Sequence, residues 1–150
     1  KKIKKNKNVL DVGAGSGQLK KMLNKNFKYL GTDIHKKKIK DVIYDDINVF
    51  NKSFSKKFHV IFCLKTIYYL GDNINKILKK FKKYLKKGGL LIISYNLKKN
   101  SFSNKYLTDI KLRKLLLKEF KEVSTIEINR EKMINKKAEK FSFFVFCKSK

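Results

Sequence analysis

Apolar and polar positions follow two patterns along the chain, one typical of buried strands and one typical of helices. Five short runs are almost continuously apolar and lie at residues 9–12, 27–32, 42–44, 58–63 and 90–94. Such runs are typical of strands that are buried on both faces of a parallel sheet. Two further strands are predicted at 122–129 and 141–148, and the polar, lysine-rich stretch between them predicts that they pair antiparallel.

The clearest helical pattern covers residues 73–87. Apolar side chains recur there at helical spacing on one face, and lysines occupy the other, so the lysine run is interpreted as a solvated face. Gly88 and Gly89 follow directly, which predicts that the helix ends in a glycine C-cap.

Two other helices are predicted at 18–24 and 106–120, the second with Thr108 as its N-cap. Between the second and third strands there is room for about one helical turn. Strands that alternate with helices in this order predict an α/β domain with a doubly wound, mostly parallel sheet.

Length and composition indicate one globular domain. The chain has 150 residues, of which 42% are hydrophobic. No apolar run reaches the roughly 18 residues of a membrane span. Cys63 and Cys147 fit no disulfide framework or zinc spacing, so a reducing, cytoplasmic location is expected and no metal site is predicted. Since the sequence starts without Met directly before the first strand, we expect a domain excised from a longer chain that lacks its upstream lid elements.

The formal net charge of +27 is compatible with RNA or another polyanion as a partner. However, only two of the 39 basic residues are Arg, Arg113 and Arg130, whereas nucleic-acid sites favour Arg for bidentate contacts. Lys, Asn, Ile, Phe and Tyr are plentiful, which is typical of an AT-rich genome. We therefore interpret the charge mainly as compositional, and keep RNA as an alternative partner.

The first strand ends in a glycine-rich turn, and residues 9–17 read VLDVGAGSG. Gly13, Gly15 and Gly17 allow a sharp turn and a close approach to a ligand, which we expect to meet free backbone N–H groups and the start of a helix. Asp11 is expected to accept hydrogen bonds from a cationic or hydroxylic ligand group. The spacing G-x-G-x-G differs from the G-x-G-x-x-G of dinucleotide sites, and Asp11 would repel a pyrophosphate, so a dehydrogenase is disfavoured.

Further acids follow the second and third strands. Asp33 lies about 20 residues beyond the glycine turn, where a carboxylate binds a ribose diol; it is also a plausible N-cap, and both roles can hold. Asp45 and Asp46 are either ligand-binding acids or turn aspartates. His35 has no partner at ligand spacing, so we interpret it as an exposed histidine, with general base as the alternative.

The segment DVGAGSG at 11–17 resembles the first motif of the class I S-adenosylmethionine-dependent methyltransferases. LKKGGLLIIS at 85–94 resembles the family's L-K-P-G-G-x-L-x-I turn without the proline, and LKTIYYLGD at 64–72 is similar to a stretch of nodulation N-methyltransferases that act on sugar amines. His59 stands where the family usually has Asp, which is expected to weaken one structural hydrogen bond. The motifs cover essentially the whole chain in order, which implies a seven-stranded sheet with an antiparallel C-terminal strand pair.

The resemblance implies S-adenosylmethionine as the cofactor. The acid after the third strand would bind the adenine amino group, with Asp46 favoured over Asp45, and Ile47 would pack on the ring. The backbone at the end of the fourth strand would touch the methionine part. The expected cofactor-binding residues are Asp11, Gly13, Ala14, Gly15, Gly17, Asp33, Ile34, Asp45, Asp46, Ile47, Cys63 and Leu64.

The methyl acceptor is less well indicated. An O or N atom of a small molecule or saccharide is favoured, and RNA or another polyanion is the alternative. A catalytically silent subunit with this fold is a third reading. No catalytic residue is assigned: Tyr68, His35 and the Asp45/Asp46 pair are candidate bases, and Tyr68 and Tyr69 are either acceptor-pocket or core aromatics.

Overall fold

The computed structural model describes residues 6–35, 38–96, 109–128 and 142–149. Within these ranges one sheet contains seven strands: β1 (Lys7–Val12), β2 (Phe27–Asp33), β3 (Val42–Tyr44), β4 (Phe58–Leu64), β5 (Leu85–Asn96), β6 (Phe120–Ile128) and β7 (Ser142–Ser149). Their order is β3-β2-β1-β4-β5-β7-β6. Strands β1 to β5 are joined by parallel pairings, whereas β7 pairs antiparallel with both β5 and β6. The predicted fold class, including the antiparallel C-terminal pair, is confirmed.

The helices are α1 (Gln18–Met22), α2 (Ile74–Tyr84) and α3 (Asp109–Glu119), and 3₁₀ turns cover Lys52–Phe54 and Ile67–Asn73. The main core lies where α2 and α3 pack on the sheet, and its fully buried side chains include Ile61, Leu78, Phe81, Leu91 and Leu112. Strand β1 lies between β2 and β4, so the chain reverses its direction of winding there. In open α/β sheets this switch point, at the carboxyl ends of the strands, is where ligands bind.

Helix α2 ends earlier than the sequence pattern predicts. It stops at Tyr84, and Leu85 is already extended and paired with Phe58 of β4. The predicted C-cap at Gly88 and Gly89 is therefore wrong. Both glycines lie within β5, where the pairing with β4 shifts register, Gly88 has a φ of +70°, and a Cβ at Gly89 would lie 2.8 Å from the Lys86 carbonyl oxygen. Here the glycines allow an irregular strand rather than end a helix.

The other boundaries agree with the prediction to within a few residues. Helix α1 stops at Met22, two residues before the predicted end, and between β2 and β3 no helix is present among the described residues 34–35 and 38–41. The Thr108 N-cap and the polar stretch at 130–140 lie outside the described residues. Within the described ranges no helix is both long and apolar enough to cross a membrane.

Candidate functional site

The glycine loop joins β1 to α1 at the carboxyl edge of the sheet. Gly13, Gly15 and Gly17 all have positive φ angles, of 72°, 56° and 72°. Gly13 and Ala14 donate their N–H groups to the Thr32 carbonyl at 2.8 and 3.0 Å. Gly17 donates to the Ala14 carbonyl and Gly15 to the Asp33 carboxylate. The expectation of free N–H groups is therefore wrong for these four residues, which donate within the protein.

The first two glycines are required for different reasons. A Cβ at Gly13 would lie 2.2 Å from Oγ1 and 2.9 Å from Cβ of Thr66, so the space is already filled by a protein side chain. A Cβ at Gly15 would meet no atom within 4 Å. Gly13 thus allows Thr66 to pack closely against the loop, whereas Gly15 leaves an open space beside the loop, called the cradle below.

Asp33 ties the glycine loop to the end of β2. Its Oδ2 accepts the Gly15 N–H at 2.9 Å, and its Oδ1 accepts the backbone N–H of His35 at 2.9 Å. The residue is only 8% exposed, but a carboxylate has about four lone-pair positions, so each oxygen retains capacity for a further donor. The side chain is held rigidly by the protein and still presents acceptors.

Asp11 points into the protein behind the loop. It is 4% exposed, and its Oδ2 accepts the Tyr29 hydroxyl at 2.9 Å. Burial raises the pKa of Asp11; the hydrogen bond from Tyr29 opposes this rise, and the Asp33 carboxylate adds to it. Burial and the adjacent Asp11 also raise the pKa of Tyr29. The structure therefore gives Asp11 a partner within the protein, where the sequence suggested a ligand group.

The acids after β3 differ in their surroundings. The Oδ1 of Asp46 accepts both the backbone and side-chain N–H groups of Asn48, at 2.8 and 3.0 Å, which is an Asx turn. The Oδ1 of Asp45 accepts a hydrogen bond of 3.3 Å from the Asn51 side chain. The backbone N–H of Asp45 donates to the Asp33 carbonyl. Asp45 is thereby placed beside Asp33, while Asp46 holds its own turn.

A cleft of about 420 Å³ opens at this edge of the sheet. Six of the predicted cofactor-binding residues line it: Gly13, Asp33, Ile34, Asp45, Ile47 and Leu64. The base candidate His35 also lines it, as does Tyr69, whose side chain is 85% exposed. The other predicted residues are outside this lining: Asp11, Ala14, Gly15, Gly17, Asp46 and Cys63.

Cys63 is fully buried in the core, and burial raises its pKa to about 12. The side chain of Tyr68 lies outside the described part of the structure.

Two cleft residues escaped the sequence analysis. Lys65 has a φ of +55°, and its N–H is bonded to the carbonyl and hydroxyl oxygens of Ser94 at 3.0 and 3.1 Å. Its neighbour Thr66 fills the space beside Gly13. The residue type of Lys65 does not signal its position, because the left-handed conformation normally favours Gly or Asn. The contact of Thr66 with Gly13 depends on tertiary packing.

The chemistry of this lining fits an adenosyl amino acid. Val12, Ile34, Ile47, Leu64 and Leu70 offer apolar surface, and Asp33 and Asp45 offer acceptors for hydroxyl and amino groups. The space beside Gly15 allows a ligand to approach the backbone. Among the described residues no group of three His, Cys, Asp or Glu side chains is arranged to hold a metal ion.

Comparisons with known proteins agree with this geometry. Solved structures share the fold, and three methyltransferases are among them. The carbon methyltransferase CurJ has 17% identity and a TM-score of 0.75, with 98% of this chain and 49% of that chain covered. The N-methyltransferase NodS from Bradyrhizobium japonicum WM9, in complex with S-adenosyl-L-homocysteine, has 16% identity and a TM-score of 0.74, with 95% and 78% covered. The 1,6-didemethyltoxoflavin-N1-methyltransferase from Burkholderia thailandensis, with bound 1,6-didemethyltoxoflavin and S-adenosylhomocysteine, has 15% identity and a TM-score of 0.76, with 97% and 72% covered.

The present chain thus spans about half the length of CurJ. No curated protein matches the sequence. The family described as "Methyltransferase domain" matches residues 1–141, nearly the whole chain. The glycine loop, the acids beside it and the strand order are consistent with this match. The chain therefore belongs to the methyltransferase domain family, the class I S-adenosylmethionine-dependent methyltransferases.

Proposed function

We propose that this domain transfers a methyl group from S-adenosylmethionine to an O or N atom of a small molecule or saccharide. The observation that carries the proposal is the cleft at the switch point, where acceptor side chains and an apolar wall occur together; Gly15, with open space beside it, is bonded to the cleft residue Asp33. Cys63 and Cys147 are buried free thiols, which agrees with the reducing cytoplasm that we propose as its location.

Within this proposal, Asp33 accepts the ribose hydroxyls with the lone pairs that Gly15 and His35 leave available. The adenine amino group is assigned to the Asp45/Asp46 pair, and Asp45 is the better placed because it lines the cleft. Ile47 packs on the adenine ring. Leu64 and the adjacent Cys63 backbone contact the methionine part.

The cofactor supplies an activated methyl group on a sulfonium, so the protein needs to align the acceptor and exclude water rather than to provide a nucleophile. His35 and Tyr69 are on the lining and are available to contact the acceptor. His35 and Tyr68 remain the proposed candidates for a base. An acceptor that loses a proton during transfer would require one.

Two structural neighbours support a nitrogen acceptor and a small-molecule substrate, respectively. NodS is described as an N-methyltransferase, and the Burkholderia enzyme holds 1,6-didemethyltoxoflavin, a small molecule. CurJ is described as a carbon methyltransferase, so the fold itself does not select the acceptor atom.

One observation favours a polyanionic acceptor as the second candidate. A cleft of about 600 Å³ beside the carboxyl end of α2 is lined by six lysines and one acid: Lys56, Lys79, Lys82, Lys83, Lys86, Lys87 and Glu119. Lysine clusters of this kind bind phosphate backbones, and the affinity falls steeply with salt.

The test is methyl transfer from labelled S-adenosylmethionine to separate pools of sugars, small metabolites and RNA, with Asp33→Ala as the control. Labelling of a small-molecule pool that is lost in the control supports the proposal. Labelling of RNA alone selects the polyanion alternative. A folded protein that fails to bind S-adenosylhomocysteine by calorimetry would instead be a catalytically silent subunit.

A further inference from the structure

Lys80 is an exception on the lysine-rich face of α2. Its exposed fraction is only 7%, whereas its neighbour Lys79 on the same helix is exposed. The side chain lies among the buried residues of the helix, where a charged group is rare unless it is paired. The expectation that the whole lysine run is solvated is therefore wrong at this position.

The ammonium group of Lys80 is satisfied by the loop that follows β3. It donates to the carbonyl oxygens of Ile47 and Val49, and lies 3.5 Å from the carbonyl oxygen of Asp46. An ammonium has three donors, and three carbonyls of one short loop receive them. Burial lowers the pKa of Lys80, while the Asp45 and Asp46 carboxylates raise it, so the loop also supplies opposite charge.

The loop held in this way is a wall between two clefts. Ile47 and Asn48 line the cofactor cleft on one side. On the other side they line a second cleft of about 390 Å³, together with Lys80 and other residues of α2. Ile47 also packs against the hydrophobic core, and the bonds from Lys80 add a direct polar connection between the loop and α2.

A second residue of α2 fixes the end of the same segment. The Tyr84 hydroxyl accepts the Asn51 N–H at 2.6 Å, and the Phe50 ring stacks on the Tyr84 ring with centroids 5.4 Å apart. Tyr84 thus anchors residues 50 and 51, whereas Lys80 anchors residues 46 to 49, which include the part that faces the cleft.

We propose that Lys80 is a positioning residue for the adenine end of the cofactor site. It reaches across from α2 and holds the loop so that Asp45 and Ile47 face the cleft. Lys80 does not touch the cofactor; it acts through the loop. This inference rests on the proposed function, because it requires that the cleft binds the adenosyl group.

The experiment measures dissociation constants by calorimetry for S-adenosylhomocysteine and for its analogue with hypoxanthine in place of adenine. The variants are Lys80→Met and Lys80→Gln, and Lys79→Met is the matched control. We expect Lys80→Met to weaken S-adenosylhomocysteine binding about tenfold or more, since a buried charged partner of the loop is lost. The hypoxanthine analogue should lose less, because its contact with Asp45 is already broken in the wild type and only the contact with Ile47 remains to be lost. Lys79→Met should bind as the wild type does.

Two results overturn the inference. One is an unchanged dissociation constant in a folded Lys80 variant, and the other is an equal loss for both ligands, which would indicate a general structural role. Lys80→Gln retains one donor group, so it provides the same comparison if Lys80→Met fails to fold. A wild-type protein that binds neither ligand would refute the proposed function itself, and is distinguishable from both results.

Discussion

The glycine loop allows a direct separation of folding from ligand binding, through alanine at Gly13 or at Gly15. Both glycines have positive φ angles, so either substitution introduces the strain of a left-handed alanine, about 1 to 2 kcal/mol. At Gly15 the new methyl group would enter open space, and no further cost in the free energy of unfolding is expected. At Gly13 it would overlap with Thr66 at 2.2 Å. Overpacking of that kind adds about 1 to 3 kcal/mol.

These values predict different shifts in melting temperature. For a domain of this size, 1 kcal/mol corresponds to about 2 to 4 °C. Gly15→Ala should therefore melt about 2 to 8 °C below the wild type, and Gly13→Ala about 4 to 20 °C below it. Thermal unfolding followed by circular dichroism measures both shifts. In a Thr66→Gly background the extra cost of Gly13→Ala should disappear, which a double-mutant cycle detects as a coupling of about 1 to 3 kcal/mol.

Gly15→Ala, the less destabilised of the two variants, should nevertheless lose affinity for S-adenosylhomocysteine. Because the methyl group of Gly15→Ala fills the cradle beside the loop, we expect S-adenosylhomocysteine binding to weaken about tenfold or more, although the fold is nearly intact. Wild-type affinity in Gly15→Ala would show that the cofactor does not lie against this loop. Equal melting temperatures for the two single variants would show that Thr66 is not the reason for glycine at position 13.

Two further predictions concern Asp33 and His59. Asp33→Ala removes an acceptor for ribose and leaves the Gly15 N–H without its partner, so S-adenosylhomocysteine affinity should fall by about 1 to 3 kcal/mol, roughly 5- to 150-fold, by calorimetry. Asp41→Ala, at an exposed ion pair with Lys20, is the control that should retain affinity, and an unchanged dissociation constant in Asp33→Ala would refute the assignment. Burial lowers the pKa of His59 below its ordinary 6.5, and the charges of Lys86 and Lys7 lower it further. The unfolded chain therefore binds the proton more readily, so the contribution of His59 to stability is complete above about pH 6.5 and is lost as the pH falls through the depressed pKa. Thermal melts from pH 8 to 5 should show a shallower pH dependence for His59→Asn than for the wild type, and parallel curves would contradict this.

His59 illustrates how far a sequence comparison can predict a structural role. The family's usual Asp is absent, and the prediction was one weakened hydrogen bond. In the structure the Nδ1 of His59 accepts the Asn8 N–H at 2.9 Å. The His59 ring nitrogen thus supplies a hydrogen-bond acceptor in this part of the fold. The replacement of Asp by His in the sequence did not by itself indicate this bond.

The fold and the glycine loop were predictable because they depend on local patterns. Apolar runs identify buried strands, and glycines at fixed spacing identify the turn. The Lys80 contact was not predictable, because Lys80 is one of several lysines at helical spacing and only tertiary packing shows that its side chain is covered. The end of α2 was missed for a similar reason: the pairing of Leu85 with Phe58 outweighs the helical periodicity, so the helix stops before Gly88.

The distribution of donors and acceptors at the loop bears on which ligands the cleft favours. The N–H groups of Gly13, Ala14, Gly15 and Gly17 all donate within the protein, so these four groups are not offered to a phosphate. Asp33 and Asp45 instead present acceptors beside it. A ligand with many donors, such as the hydroxyl, amino and ammonium groups of an adenosyl amino acid, matches that lining, whereas a pyrophosphate would face the negative charge of these carboxylates. The glycine loop therefore favours S-adenosylmethionine over a dinucleotide by its shape and by the acids that surround it, rather than by hydrogen bonds from these backbone groups.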